Sequence, residues 1–219
     1  GPVAHGFDRF LGISASLDMP PYVLLRNDRV TAPPDRKVGD SAAPRLWRAG
    51  PIGADFQMED VQPRLTRETI AFLAERAAAR DGKPFFVYLP YASPHTPTLP
   101  TKEFADTTRT PYGAFVRQLD ADVGAILAAL ERHGLAKDTL VVFTSDNGGH
   151  PVYSANGPLR GSKWNLYEGG VRVPWIVRWP GRVPAGRVSG ASFIGTDLLP
   201  TLAAATGAEL PRDVTLDGR

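Results

Sequence analysis

The stretch from Thr139 to Pro174, TLVVFTSDNGGHPVYSANGPLRGSKWNLYEGGVRVP, decides the fold. Its opening run, Leu140-Val141-Val142-Phe143, is apolar and rich in β-branched residues, and reads as a buried strand. The run breaks at Ser145-Asp146-Asn147-Gly148-Gly149, so a carboxylate and an amide stand side by side where a strand gives way to a glycine turn. In open α/β sheets, ligands bind in the loops after strand C-termini. Asp146 and Asn147 both offer oxygen, the donor that a hard cation such as Ca²⁺ or Mg²⁺ prefers. Gly161-Ser162-Lys163 and Glu168-Gly169-Gly170 follow, which sets a lysine among residues that let backbone approach a ligand closely. A cation site followed by a lysine suggests an anionic substrate. Taken singly, Asp-Asn-Gly-Gly is an ordinary turn, because Asn and Gly tolerate positive φ, and Lys163 is a solvated surface lysine. The specific signal is the combination, in this order, behind an apolar strand.

Working outward, Pro111 to His133 repeats apolar residues at helical spacing: Phe115, Leu119, Val123, Ile126, Leu127 and Leu130. Gly134 is a natural stop for that helix. Asp120 and Asp122 read as solvated or capping charges. Ahead of the helix, Pro84 to Leu89 reads as another buried strand, running into Tyr91-Ala92-Ser93-Pro94-His95-Thr96-Pro97. The prolines on either side restrict the backbone around His95, which suits a group held at a fixed angle. Thr66 is a candidate N-cap, Glu68 favours a first turn, and Ile70, Leu73 and Ala77 mark a helical face ending by Asp81-Gly82. A helix between two strand candidates, with short connectors, implies a largely parallel βαβ arrangement. After the central stretch, Trp175-Ile176-Val177 continues as a strand, and a helix spans about Thr196 to Thr206 before Gly207. Tyr22-Val23-Leu24-Leu25 is a further short strand candidate. From about 26 to 64 the chain is rich in Pro, Gly, Arg and Asp without a sustained period, a long surface excursion. There Arg45, Trp47 and Arg48 could select a substrate, or Trp47 could simply pin the loop to the core.

Composition narrows the function classes. The chain has 219 residues, 42% hydrophobic and 22% charged, enough for one sizeable core. Its net charge of +2 and scattered arginines leave no nucleic-acid footprint. No apolar run approaches the length of a membrane span. There is no cysteine, so no disulfide forms within the chain and no compartment can be read from one.

Thr144-Ser145-Asp146-Asn147-Gly148, Leu159-Arg160-Gly161-Ser162-Lys163 and Tyr167-Glu168-Gly169-Gly170-Val171-Arg172-Val173-Pro174 together resemble the sulfatase family, and arylsulfatases and their bacterial relatives most of all. Other matches fall in the same order: Gly6-Phe7-Asp8 near the start, Phe85-Phe86-Val87-Tyr88 with Ser93-Pro94-His95-Thr96-Pro97, and Asp197-Leu198-Leu199-Pro200-Thr201-Leu202. The likeness spans nearly the whole chain and is weakest from about Ser14 to Pro63. It implies an alkaline-phosphatase-like α/β fold with a largely parallel central sheet flanked by helices, incomplete on its N-terminal side. The whole chain, 1–219, is then the central to late portion of a single catalytic domain.

The resemblance also implies a chemistry, hydrolysis of sulfate monoesters to alcohol and inorganic sulfate. Asp146 and Asn147 would hold a divalent cation, usually Ca²⁺, with Mg²⁺ the other option. Lys163 would bind the sulfate, and His95 would contact it and protonate the leaving group, a task to which imidazole is suited near neutral pH. The family's nucleophile is a formylglycine made from Cys or Ser in a Cys/Ser-x-Pro-Ser-Arg signature that precedes the Gly-Phe-Asp segment. No residue of this chain fills that role. Ser41-Ala42-Ala43-Pro44-Arg45 is the nearest string, but its spacing is wrong by one residue and it lies on the wrong side of Gly6-Phe7-Asp8. The formylglycine and the family's first two metal-binding aspartates are expected upstream, in a missing N-terminal portion of the same domain, and the chain alone is expected to be inactive. The implied substrate is a sulfated small molecule or carbohydrate, and the implied location secreted, periplasmic or lysosomal. Two alternatives stay open: a phosphate or phosphonate monoester hydrolase of the same superfamily, and a non-catalytic binding module.

Overall fold

Two long helices and three small antiparallel sheets build the first of two units, Gly1–Arg182, in the computed structural model, which describes residues 1–42 and 45–219. Ala43 and Pro44 of the Ser41–Arg45 string lie outside the described residues. Strand β1 (Leu11–Ile13) pairs with β2 (Leu24–Arg26), and β2 with β3 (Arg29–Val30). Strand β4 (Pro34–Val38) pairs with β5 (Gly50–Gly53). Around the bases of these ladders lies a first apolar core of Leu17, Tyr22, Leu24, Ile52, Phe56, Met58, Val61 and Leu99. The 26–64 segment is therefore only partly the surface excursion expected of it. Its later part is pulled inward by Ile52, Phe56 and Met58, apolar residues too sparse to show a period. Trp47 takes the second of its two expected roles: it packs against this core while its Nε1–H donates to the Gly39 carbonyl at 2.9 Å.

Helix α1 (Val61–Ala79) starts earlier than the local cap signal predicts. Thr66 lies within it, buried, and its hydroxyl donates to the Gln62 carbonyl at 3.1 Å instead of capping. Val61 and Leu65, both set against the first core, carry the helix back past that residue. Helix α2 (Pro111–Arg132) matches its expected span. The Thr110 hydroxyl accepts the Gly113 N–H at 3.1 Å, Pro111 opens the first turn, and Gly134 takes φ 69° beyond the end. The helices enclose a second core of Leu73, Ala129, Leu130 and Ala136. They are also tied by the amide of Gln62, which donates to Asp122 at 2.7 Å. Asp122 is thus a structural acceptor and not merely a solvated charge.

The parallel sheet expected around α2 needs correction. Strand β6 (Val141–Thr144) pairs antiparallel with β7 (Trp175–Arg178), Val141 opposite Arg178 and Thr144 opposite Trp175. Residues 84–89 join no ladder, so the first strand of the inferred βαβ unit has no paired partner among the described residues. Phe85 packs edge-on against Phe72 of α1, but Phe86 and Tyr88 are 63% and 67% exposed. An isolated bridge between Tyr22 and Ile52 is the one parallel pairing described. The apolar composition of β6 was legible. Its orientation was not, because that is set by how the chain returns at β7. The β6 residues are half-buried at most, not fully buried as their composition suggested.

The second unit, Val183–Arg219, contains α4 (Leu198–Thr206), which ends at Gly207 with φ 75°. Ahead of that helix, the Asp197 carboxylate accepts the N–H groups of Ile194 at 3.0 Å and Arg219 at 3.1 Å. These two bonds favour its charged form and hold its pKa below the usual carboxylate value.

Candidate active site

The antiparallel pairing of β6 and β7 has a direct consequence for the central stretch. Thr144 and Trp175 face each other across the ladder, so everything between them is one loop closed at its base. Inside it the chain folds tightly on its own backbone. The Gly148 N–H donates to the Gly170 carbonyl at 2.8 Å, and the Gly169 N–H to the Arg160 carbonyl at 2.7 Å. A Cβ on Gly148 would overlap the Gly169 carbonyl, and one on Gly169 would overlap the Gly161 carbonyl. Backbone cannot give way as a flexible side chain can, so these positions exclude larger residues. The glycines serve the packing of the loop on itself, where the sequence had suggested close approach to a ligand. The short helix α3 (Glu168–Val171) occupies the centre of this packing, with Gly169 and Gly170 buried.

Asn156 joins the halves of the loop. Its Oδ1 accepts the Gly149 N–H at 2.9 Å, and its Nδ2 donates to the Gly161 carbonyl at 3.1 Å. The Lys163 N–H donates to the Gly149 carbonyl at 3.0 Å. The half-buried lysine is thereby fixed in the same turn system as Asp146 and Asn147, from which it is well separated in sequence. Asp146 is exposed and Asn147 half-buried just past the end of β6, and the Ser145 hydroxyl donates to the Asn147 carbonyl at 3.3 Å. Sequence reasoning missed Asn156. Its only signal was an Asn-Gly pair, which reads locally as a turn.

His95 is held separately. Its turn is anchored by buried Ser93 on one side and by buried Pro97, Thr98 and Leu99 on the other, while the imidazole itself is exposed. The His95 N–H donates to the Ala92 carbonyl at 2.9 Å. Its Nδ1–H donates to the Thr96 carbonyl at 2.5 Å, which leaves Nε2 as the ring nitrogen free to meet a substrate. Thr96 also lines a shallow cavity of about 400 Å³ with Asp18, Asp40, Trp47 and Arg48. None of the hydrogen bonds described around His95 reaches the Asp146–Lys163 loop.

The donor chemistry at Asp146 and Asn147 fits a hard cation, since both offer oxygen at an accessible turn. It makes only part of a coordination shell. Among the described residues no three His, Cys, Asp or Glu side chains cluster to hold a metal. No helix among them is long and apolar enough to cross a membrane.

Comparison with known proteins gives the family in which these residues stand. A family model described as "Sulfatase" matches residues 2–208. The chain belongs to the sulfatase family. It is 38% identical to human (Homo sapiens) arylsulfatase A over 99% of this chain and 43% of that protein. It is 32% identical to mouse (Mus musculus) steryl-sulfatase over 100% of this chain and 44% of that one. A Bacteroides thetaiotaomicron protein, solved in connection with that organism's metabolism of multiple glycosaminoglycans, superposes with a TM-score of 0.84 at 26% identity. That match covers 100% of this chain and 55% of the other. The fold is thus the alkaline-phosphatase-like α/β fold expected from the sequence. The chain spans less than half the length of the two curated relatives.

Proposed function

We propose that this chain is the central to late part of a sulfatase catalytic domain, and that the whole protein hydrolyses sulfate monoesters. The observation that carries this reading is the Lys163 N–H bonded to the Gly149 carbonyl, which sets the lysine beside the Asp146–Asn147 turn. In the proposed site Asp146 and Asn147 supply two oxygen ligands to a divalent cation, Ca²⁺ in preference to Mg²⁺. The open turn carries no octahedral set of its own, and Ca²⁺ tolerates the more flexible geometry. The remaining ligands and the formylglycine nucleophile come from segments outside this chain. A cation held by Asp146 and Asn147 would supply charge neutralisation at the sulfate. Lys163 adds a fixed point charge on the same group, and His95, as the imidazolium with its Nδ1–H held by the Thr96 carbonyl, gives the Nε2 proton to the departing alkoxide and is left neutral. A sulfated small molecule or carbohydrate is the substrate class, and a secreted, periplasmic or lysosomal location accords with the family.

The test is Asp146→Ala in the full-length protein, read by bound calcium and by turnover of an aryl sulfate. We expect calcium content to fall and kcat/KM to drop by about 10²-fold or more, the scale of losing a charge-stabilising group. Retained turnover with unchanged calcium would remove Asp146 from the site. Preference for a phosphate over a sulfate ester would favour the phosphohydrolase alternative.

A further inference from the structure

Trp164 follows Lys163 directly and has a backbone that a tryptophan rarely adopts. Its φ is 77°, in the left-handed region where a bulky side chain is an outlier. Its ring is 74% exposed, so the conformation is not held by burial of that ring. Strain of this kind concentrates at ligand-binding positions, where it fixes a side chain in a required place. The ring does have neighbours. His150 makes a T-shaped pair with it at 5.0 Å between centroids, and Tyr153 stacks on His150 at 4.8 Å. The Val152 N–H donates to Nδ1 of His150 at 3.1 Å. In the neutral imidazole the ring proton is then on Nε2, a donor on the ring that neighbours Trp164. The Lys163 ammonium lies 6.0 Å from the centroid of the same ring.

We propose that Trp164, with its neighbour His150, is a binding platform for the sugar ring of a sulfated carbohydrate. This rests on the reading of Lys163 as the sulfate-binding group. A flat apolar face suits the C–H surface of a pyranose, and a neighbouring hydrogen-bond donor suits a ring hydroxyl. A bare aryl group would use the face and leave the donor unpaired, so the pair of features favours the hydroxylated ring. The platform acts on substrate binding. Its effect belongs in KM, and the reacting group is left to Lys163.

The test compares Trp164→Gly and Trp164→Phe in the full-length enzyme. A sulfated pyranoside and a short alkyl sulfate are the two substrates. Glycine suits the left-handed backbone, so Trp164→Gly should leave Tm unchanged or raise it. We expect it to raise KM for the pyranoside about tenfold, the scale of one aromatic contact. The kcat value and the alkyl sulfate kinetics should stay within about twofold, and Trp164→Phe should restore most of the loss. An unchanged pyranoside KM would overturn the proposal. So would a fall in Tm with equal losses on both substrates, which would mean that the ring packs against protein. If the wild-type enzyme turns over neither sulfate, it is the sulfatase reading that fails. The platform is then decided by saturation-transfer NMR with an unsulfated methyl pyranoside: binding lost in Trp164→Gly supports it, and binding retained overturns it.

Discussion

At the scale of single residues, His95 and Lys163 differ in how they are held, and the roles proposed for them differ accordingly. Lys163 has its backbone fixed to Gly149 and carries a permanent charge that any sulfate ester would meet. His95 has its Nδ1–H engaged by the Thr96 carbonyl, so in the proposed role it acts as the imidazolium, with Nε2–H the one proton it can give. An activated aryl sulfate needs little protonation of its leaving group, whereas a sugar or alkyl sulfate needs much. In the full-length enzyme, His95→Ala should therefore cost about 10²–10⁴-fold in kcat/KM on a carbohydrate sulfate and far less on a nitrophenyl sulfate. Lys163→Ala should harm both. Equal losses for His95→Ala on the two substrates would leave it a sulfate contact and not the acid. These residues stood out as candidates because each stands in a short pattern beside glycine or proline. Asn156 was not, because its three acceptors and donors become neighbours only once the loop closes. Trp164 was read only as a letter inside a motif, since nothing in sequence reveals a positive φ on a non-glycine residue.

At the scale of elements, local signals placed both ends of α2 but only the end of α1, for a physical reason. The α2 cap is a local device, Thr110 reaching Gly113 three residues on. The start of α1 is set by tertiary packing of Val61 and Leu65, which a cap-based reading cannot see. The same packing puts Thr66 against Tyr91, their hydroxyls 2.6 Å apart, and joins α1 to the segment that carries His95. Burial pushes the Tyr91 phenol up to about 12, the Thr66 bond working the other way and the nearby Asp122 charge adding to the rise. A phenol raised in the folded state from its ordinary value of 10.0 favours folding at lower pH. That stability is fully present below the unfolded value and is lost as pH rises toward the folded one. Wild-type stability should thus fall through the window from 10.0 to about 12, and Tyr91→Phe should flatten that fall. Tyr91→Phe should also lower stability at neutral pH by about 1 kcal/mol, one hydrogen bond lost while Thr66 keeps its bond to Gln62. Denaturant melts from pH 7 upward read both effects. An equally steep alkaline loss in the variant would assign the pH dependence to other groups.

At the scale of the whole molecule, the exposed apolar surface makes a definite claim about the chain made on its own. A groove of about 310 Å³ runs along α2 and the β6–β7 ladder, lined by Val116, Leu119, Val123, Leu127, Val141, Phe143 and Ile176. Ile176 is 58% exposed on a two-stranded ladder whose outer edges have no described partner. Phe86 and Tyr88 stand out from an extended segment that joins no ladder. Unpaired strand edges and apolar faces of this kind are templates for association. Residues 1–219 expressed alone should therefore self-associate, with sedimentation coefficients that rise with protein concentration. The groove and the extended segment are distinct sources, and substitution separates them. Ile176→Lys places a charge on the ladder face, and Phe86→Lys places one on the extended segment. Neither side chain is in a buried core, so each change should cost less than about 1 kcal/mol in stability. If the groove drives association, Ile176→Lys should shift the distribution toward monomer more than Phe86→Lys does. If the extended segment drives it by strand pairing, the order should reverse. A wild-type chain that sediments as a monodisperse monomer and melts cooperatively would show that these surfaces need no cover, and that this length of chain is a folding unit in itself.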